Sequence, residues 1–134
     1  MIVVDTNIIA YFYLPSLYSR QAELAQNKDA QWVAPHLWRS EFRNILALHL
    51  RQQLMTLDNA LAILQQAEEL MQGNEYEIPS AQILRLADAS GCTAYDCEFV
   101  ALAQNLGIPL ITADKKLLRA FPSIALTLEQ FVAT

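Results

Sequence analysis

Glycine and proline are scarce in this sequence, with three glycines and five prolines among 134 residues. Because apolar residues make up 54% of the chain, it is neither a disordered nor a low-complexity protein. No apolar run approaches the roughly 18 consecutive residues that a transmembrane helix requires. The length suits one domain with a sizeable core, and we expect residues 1–134 to form it.

Cysteine, histidine and net positive charge are also in short supply. Cys92 and Cys97 are the only cysteines, which excludes a disulfide framework, and no histidine lies near them to complete a zinc site. The N-terminus has no basic region with a signal-peptide cleavage site, so we expect a cytoplasmic protein. The net charge is −5, so any contact with nucleic acid must come from local patches.

Short apolar runs alternate with longer amphipathic segments along the chain. The runs MIVVD, QWVAP and IPLIT predict strands, and EYEIP and SIAL predict weaker ones. The segments between them predict helices, the second of which covers residues 16–28. This alternation predicts an α/β fold in which helices cover both faces of a parallel sheet. Candidate helix N-caps are Asp5 or Thr6, Thr56, Ser80 and Thr93.

Four carboxylates stand at positions that a solvated acid would normally avoid. Asp5 and Asp114 end the strands IVVD and PLITAD, and Glu41 and Asp96 lie on the apolar sides of predicted helices. Ligands of open α/β sheets bind at the carboxyl ends of the strands. Two carboxylates about 5 Å apart repel by roughly 3 kcal/mol at an effective dielectric constant near 20. If the fold gathers these acids, a divalent cation is their natural partner, and such sites perform phosphoryl chemistry.

Each acid also has a structural explanation. Asp5 and Asp114 are suitable N-caps, and Thr93 with Asp96 resembles a capping box. For Glu41, a buried ion pair and a metal role weigh equally when the residue is taken alone. The joint occurrence of all four is much harder to attribute to chance.

A helical wheel separates the charged residues of the long helix. Glu41 falls between Leu37 and Ile45 inside the apolar stripe, whereas Arg39 and Arg43 fall on the opposite side. We therefore expect the two arginines to lie on a solvated face. The same reasoning makes Glu98 on the later helix a solvated acid, and at most a residue that supports the site from behind. It makes His49 a core or partner-facing residue rather than a base.

Three segments carry a resemblance to a known family. IVVDTNIIAYFY, RSEFRNIL and TAYDCEFVALAQNLGIPLITADKKLL occur in the order and at the spacing that resemble PIN-domain ribonucleases. The VapC-type toxins of prokaryotic toxin–antitoxin pairs are the most similar, over essentially the whole chain. The resemblance implies a PIN-like parallel sheet with helices on both faces and an Mg²⁺- or Mn²⁺-dependent endoribonuclease. It also implies an RNA substrate, a cognate antitoxin, a homodimer and no membrane association.

Residue by residue, the resemblance implies that the four acids are catalytic and hold the metal: Asp5, Glu41, Asp96 and Asp114. Asp5 and Asp96 are the expected direct ligands, and the other two bind directly or through water. Three polar residues are expected to support the site: Thr6, Asn7 and Thr112. No acid of the family pattern is missing, which favours an active enzyme.

Other segments suggest contacts with RNA or protein. Lys115, Lys116 and Arg119 follow the last acid and are expected to hold RNA phosphates. The run AYFYLP is unusually aromatic, and its side chains do not all fit one core, so it predicts a partner surface as readily as sheet packing. The region from Trp32 to Leu46 is a second candidate for such contacts.

Three alternative functions remain open from the sequence. A receiver-like signalling domain also gathers acids at strand ends, but here the middle strand QWVAP ends without one. A PIN nuclease of RNA processing would act without an antitoxin, and an inactive PIN module would serve only as a binding or scaffold protein. The four retained acids argue against the inactive module.

Overall fold

A five-stranded parallel sheet with the order β3-β2-β1-β4-β5 forms the centre of the protein in the computed structural model, which describes residues 1–134. The strands are β1 (Ile2–Val4), β2 (Trp32–Pro35), β3 (Glu75–Tyr76), β4 (Leu110–Ile111) and β5 (Ala125–Leu126). All neighbours pair in parallel, so every strand ends at the same edge. The central strand β1 is buried throughout, as its continuous apolar run predicts.

Eight helices cover the sheet. They are α1 (Thr6–Tyr13), α2 (Ser19–Lys28), α3 (Leu37–Arg51), α4 (Leu57–Met71), α5 (Ser80–Ser90), α6 (Ala94–Leu106), α7 (Lys115–Ala120) and α8 (Leu128–Ala133). Helix α6 packs on the three central strands and carries α5, whereas α1, α3 and α4 pack on one another and on β1 and β2. The predicted α/β class is confirmed. None of the helices combines the length and the apolar character needed to cross a bilayer.

Side-chain caps fix the starts of most helices. Asp5 accepts a hydrogen bond from the backbone N–H of Ile8 at 3.2 Å, and Thr93 accepts one from that of Asp96 at 3.1 Å. Thr56 caps α4 in the same way. These bonds satisfy backbone donors that the first helical turn leaves unpaired.

Two predicted helix starts are wrong. Helix α2 begins at Ser19 rather than at Ser16, because the two serines form a local turn: the backbone N–H of Ser16 donates to Oγ of Ser19 at 2.9 Å. Ser80 is the first residue of α5 rather than its cap. The extended residue Pro79 precedes that helix, and no side chain caps it.

The buried face of α3 is not centred where the helical wheel places it. Trp38, Phe42 and Leu46 are the buried residues of this helix, and Leu48 is 43% exposed. Glu41 therefore flanks the core at its edge, half-buried, instead of interrupting it. A wheel weighs all apolar residues equally, whereas the two large aromatic rings decide which side faces the sheet.

The arginine at the start of α3 is not simply solvated. Arg39 donates from Nε and Nη2 to the two carboxylate oxygens of Glu75, at 2.6 and 2.8 Å, and from Nη1 to Glu68 at 2.5 Å. The side chain thus joins α3 to β3 and α4. The prediction of a solvated face was wrong for Arg39, and it holds for the exposed Arg43.

The aromatic end of α1 packs largely within the protein. The rings of Phe12 and Trp32 meet edge to face with centroids 5.3 Å apart, and Leu14 is buried. The Tyr13 hydroxyl donates to the carbonyl of Gln66 at 3.3 Å. The exposed apolar surface instead lies just beyond, where Leu17 is 95% exposed.

The second candidate partner surface is unsuited to that role. Trp32, Trp38 and Phe42 are completely buried in the core. The region from Trp32 to Leu46 therefore offers few apolar side chains to another protein.

Candidate active site

All four predicted acids line one cleft of about 260 Å³ at the carboxyl edge of the sheet. Asp5 follows β1, Asp114 caps α7 shortly after β4, Glu41 comes from α3, and Asp96 comes from the first turn of α6. The cleft is also lined by Thr6, Asn7, Asn44, Ile45 and Phe99. The fold thus brings together residues that are more than a hundred positions apart in the sequence.

Asp5 lies at the bottom of the cleft and is only 9% exposed. Its Oδ1 accepts the hydrogen bond from Ile8, and its Oδ2 accepts a short one from the Thr112 hydroxyl. Burial raises the pKa of Asp5 from 3.8 to about 6 despite these two bonds, and repulsion by Glu41 and Asp114 adds to the shift. A nearby positive charge would therefore stabilise the ionised form of this carboxylate.

Thr112 connects the two acids at the ends of β1 and β4. Its fully buried hydroxyl donates to Asp5 and accepts the backbone N–H of Asp114 at 3.0 Å. Since the side chain is fixed by both bonds, it sets the direction of the Asp5 carboxylate. The predicted position of Thr112 beside the acids agrees with the structure, and its role in function stays a prediction.

Asp114 is both a helix cap and a residue of the cleft. Its Oδ1 accepts the backbone N–H groups of Lys116 and Leu117 at 2.8 and 3.3 Å. Its Oδ2 accepts no hydrogen bond from the protein. One oxygen therefore caps α7, and the other is free for a ligand.

Glu41 reaches the cleft from the edge of α3. Its Oε1 accepts the Thr6 hydroxyl at 2.7 Å. Burial raises the pKa of Glu41, and the charge of Asp96 raises it further. No basic side chain pairs with this carboxylate, so the buried ion pair considered as its alternative role is absent.

Asp96 forms only half of a capping box. Its backbone N–H donates to Thr93, but no bond returns from Thr93 to its carboxylate, which lines the cleft instead. The pKa of Asp96 is raised by burial and by the charge of Asp114, and the Lys116 ammonium opposes this shift. Repulsion therefore links Asp96 to both Glu41 and Asp114.

The arrangement suits a hydrated divalent cation. No three acidic, histidine or cysteine side chains converge as a closed ligand set. Mg²⁺ does not require one, because it keeps several waters and binds through one or two carboxylates. The buried acids raise one another's pKa, and a cation in the cleft would relieve this repulsion. The residues thus fit Mg²⁺ or Mn²⁺.

One residue of the cleft was missed by the sequence analysis, and an acid near it was underrated. Asn44 lines the cleft, and its place three residues after Glu41, on the same side of α3, would have identified it. Glu98 is half-buried, and burial and the charge of Glu41 raise its pKa. It was predicted to be a solvated acid, because the sequence does not show that α6 turns this side chain toward Glu41.

Several known proteins are similar to this chain. The model of the PIN domain family matches residues 2–121. Ribonuclease VapC3 from Pyrobaculum aerophilum is 32% identical over 126 residues, which are 92% of this chain and 96% of that protein.

Solved structures share the fold. The crystal structure of PAE2754 from Pyrobaculum aerophilum superposes with a TM-score of 0.76 at 22% identity, covering 98% of this chain and 92% of the other. FitAcB from Neisseria gonorrhoeae has a TM-score of 0.72 at 19% identity, with 96% and 99% covered. FitAB bound to an IR36 DNA fragment has a TM-score of 0.70 at 19% identity, with 96% and 95% covered.

Proposed function

The chain belongs to the PIN-domain family, and we propose that it is a divalent-metal-dependent endoribonuclease and the toxin of a toxin–antitoxin pair. The observation that carries this proposal is the lining of one cleft by four carboxylates. The identity of 32% with a protein named Ribonuclease VapC3 supports RNA as the substrate. The VapC-like motifs support the role as a toxin.

Asp5 and Asp96 are the proposed direct ligands of the metal, with Glu41 and Asp114 binding directly or through water. When bound, Mg²⁺ or Mn²⁺ lowers the pKa of coordinated water and neutralises charge that develops on the phosphate. The free Oδ2 of Asp114 and the unpaired charge of Glu41 support their inclusion. Asn7 lines the same cleft, where its amide can bind the substrate or a water molecule.

Carboxylates are the only ionisable side chains that line the cleft. His49 does not line it, and its Nδ1 lies 2.9 Å from the carbonyl oxygen of Ile45. A proton released by the attacking water therefore passes to a carboxylate or to solvent. Thr6 and Thr112 act by holding Glu41 and Asp5 in fixed directions.

Helix α7 is the proposed contact for RNA phosphates. Lys115, Lys116 and Arg119 are all exposed on this short helix, directly after Asp114. The ammonium group of Lys116 is less available for RNA, because its Nζ already donates a hydrogen bond to the carbonyl of Gly91 at 2.7 Å. Lys115 and Arg119 form no ion pair with the protein and remain available.

A cognate antitoxin and a second copy of the chain are the proposed protein partners. The exposed leucines nearest the α3–α4 connection are Leu54, Leu57 and Leu61, at 64%, 59% and 53% exposure. Leu57 and Leu61 line one groove with Leu46, Leu50 and Leu64, which gives an apolar surface suited to another protein. Light scattering of the purified chain measures dimer formation, and co-purification with the product of a neighbouring small open reading frame identifies an antitoxin.

The decisive experiment incubates the partner-free chain and its Asp96→Asn variant with total RNA in Mg²⁺, Mn²⁺ or EDTA. Asp58→Asn, an exposed acid on α4, is the matched control. We expect cleavage that needs the metal, survives Asp58→Asn and is lost in Asp96→Asn. Absence of cleavage by well-folded protein with Mn²⁺ would contradict the proposal and favour a binding module.

A further inference from the structure

A second cleft, of about 240 Å³, lies beside the acidic one. Tyr11 and Tyr18 line it, with ring centroids 4.8 Å apart and ring planes inclined by 41°. Lys115 from the first turn of α7, the buried Thr112 and Glu129 from the first turn of α8 also line it. We call this feature the tyrosine cleft.

The tyrosine cleft neighbours the acidic site, since Ala113 and Lys115 line it and Asp114 between them lines the acidic cleft. Thr112 lines the tyrosine cleft and donates its hydroxyl to Asp5, which lines the acidic cleft. Burial raises the pKa of the Tyr11 phenol, and the charge of Asp5 raises it further. The second effect shows that Tyr11 lies close to this acid. An RNA strand that runs from the acidic cleft past Asp114 toward Lys115 would therefore reach the two tyrosines.

The tyrosine cleft has the chemistry of a nucleotide subsite. Tyr18 remains 48% exposed, so its ring offers a face to solvent rather than filling the core. The Lys115 ammonium has no hydrogen bond or ion pair within the protein. Proteins bind unpaired bases by stacking them on aromatic rings, and they hold the backbone with nearby cations.

We propose that the tyrosine cleft binds the nucleobase of a nucleotide that flanks the scissile phosphate of single-stranded RNA. Tyr18 stacks on this base with support from Tyr11, and Lys115 contacts an adjacent phosphate. The inference rests on the proposed ribonuclease function and adds to it a subsite for one unpaired base next to the cut. Stacking on tyrosine tolerates any base, so the subsite selects for single strands rather than for sequence.

The test compares two RNAs and two substitutions of Tyr18. A fluorescein-labelled decamer of uridines and the matched abasic decamer are titrated with the Asp96→Asn chain in Mg²⁺, and binding is measured by fluorescence anisotropy. The substitution at Asp96 prevents cleavage during the titration. Tyr18→Leu removes the aromatic ring and keeps an apolar side chain, whereas Tyr18→Phe keeps the ring. Lys115→Met is measured in parallel over a range of salt concentrations.

We expect Tyr18→Leu to weaken binding of the uridine decamer by about fivefold or more, the lower end of base–aromatic stacking. The abasic decamer should be unaffected, and Tyr18→Phe should bind both RNAs as its parent does. Lys115→Met should weaken both RNAs equally and reduce the salt dependence by about 0.7 in logarithmic slope, as the loss of one phosphate contact on a single strand predicts.

A cleavage assay with the unsubstituted chain tests the ribonuclease function separately from the base subsite. If the chain cuts RNA but Tyr18→Leu changes the affinities of both decamers equally or not at all, the tyrosine cleft is not a base subsite, and the ribonuclease function stands. If Tyr18→Leu disrupts only the binding of a co-purified protein, the tyrosine cleft is likewise not a base subsite, and the ribonuclease function stands. If the chain neither binds nor cuts RNA, the ribonuclease function itself is overturned, and the subsite with it.

Discussion

The Thr6 hydroxyl donates a hydrogen bond of 2.7 Å to Oε1 of Glu41. This bond joins the first residue of α1 to the second turn of the long helix α3, across 35 positions of sequence. Since Glu41 lacks a basic partner, Thr6 is the group that fixes the direction of its carboxylate. The bond therefore ties the acid of α3 to the edge of the sheet where Asp5 lies.

Thr6→Val should weaken metal binding and cleavage together. Valine keeps the shape of threonine but cannot donate to Glu41, and the loss of such a supporting hydrogen bond costs about 10- to 100-fold in metal affinity or activity. The measurement is the rate of RNA cleavage as a function of Mg²⁺ concentration. Thr6→Ser restores the hydroxyl and should restore the rate; equal Mg²⁺ dependence in all three proteins would show that the bond is irrelevant.

Local sequence signals predict much of this fold and half of the site's geometry. Asp5, Thr56 and Thr93 are polar residues directly before amphipathic segments, and each caps the helix that follows. The alternation of strands and helices predicts parallel pairing, which places Asp5 and Asp114 at one edge. The order of the strands depends on long-range packing and is not readable from these signals.

The errors arise where tertiary contacts decide. On a helical wheel Arg39 lies opposite the apolar stripe, where solvated charges are expected. Only the folded protein brings Glu75 and Glu68 within hydrogen-bond distance of it. Burial raises the pKa of Glu98, and the charge of Glu41 raises it further, because α3 and α6 both line the cleft. Ionisable residues on two elements pair or repel according to packing that no periodicity within one element records.

Asp114 allows the capping role to be separated from the role in the cleft. Asn is as good an N-cap as Asp, so Asp114→Asn should leave the free energy of unfolding within about 0.5 kcal/mol of the original, as expected for a substitution that preserves the local structure. Its loss of charge should nevertheless reduce metal-dependent cleavage strongly. Asp114→Ala should lose both functions and cost about 1 kcal/mol in stability. Full activity in folded Asp114→Asn would limit this residue to capping.

Asp5→Asn should abolish cleavage and stabilise the metal-free protein at neutral pH. Because the folded-state pKa of Asp5 is raised from 3.8 to about 6, the folded protein binds the proton more tightly than the unfolded chain, and stability falls as pH rises between these values. The shift corresponds to roughly 3 kcal/mol. Asparagine escapes this cost, although its amide bonds less well to Thr112, so we expect a net gain of about 1–2 kcal/mol at pH 8.

Urea unfolding at pH 8 and pH 4 measures this effect. The advantage of Asp5→Asn should shrink toward pH 4, where Asp5 of the folded protein is protonated. Added Mn²⁺ should raise the midpoint of the unmodified chain and not that of the variant, since a ligand stabilises only the state that binds it. A pH-independent difference would contradict the raised pKa, and equal stabilisation of both by Mn²⁺ would remove Asp5 from the metal site.

Arg39→Met should destabilise the protein without touching the acidic cleft. Glu75, whose side chain is only 10% exposed, would lose both bonds to Arg39 and retain the indole N–H of Trp38 at 2.8 Å. Leaving such a charge without its partner costs about 1–3 kcal/mol. Arg43→Met is the matched control one turn later, because Arg43 reaches only the carbonyl of Arg39, and its loss should stay within about 0.5 kcal/mol.

Arg39 lowers the pKa of Glu75, so the stabilisation by this ion pair is present at neutral pH and is lost as acidification protonates Glu75. Urea unfolding of both variants at pH 7 and pH 3 should therefore show a gap between them that closes at low pH; a gap that persists at pH 3 would assign the effect of Arg39 to packing of its alkyl chain rather than to the ion pair.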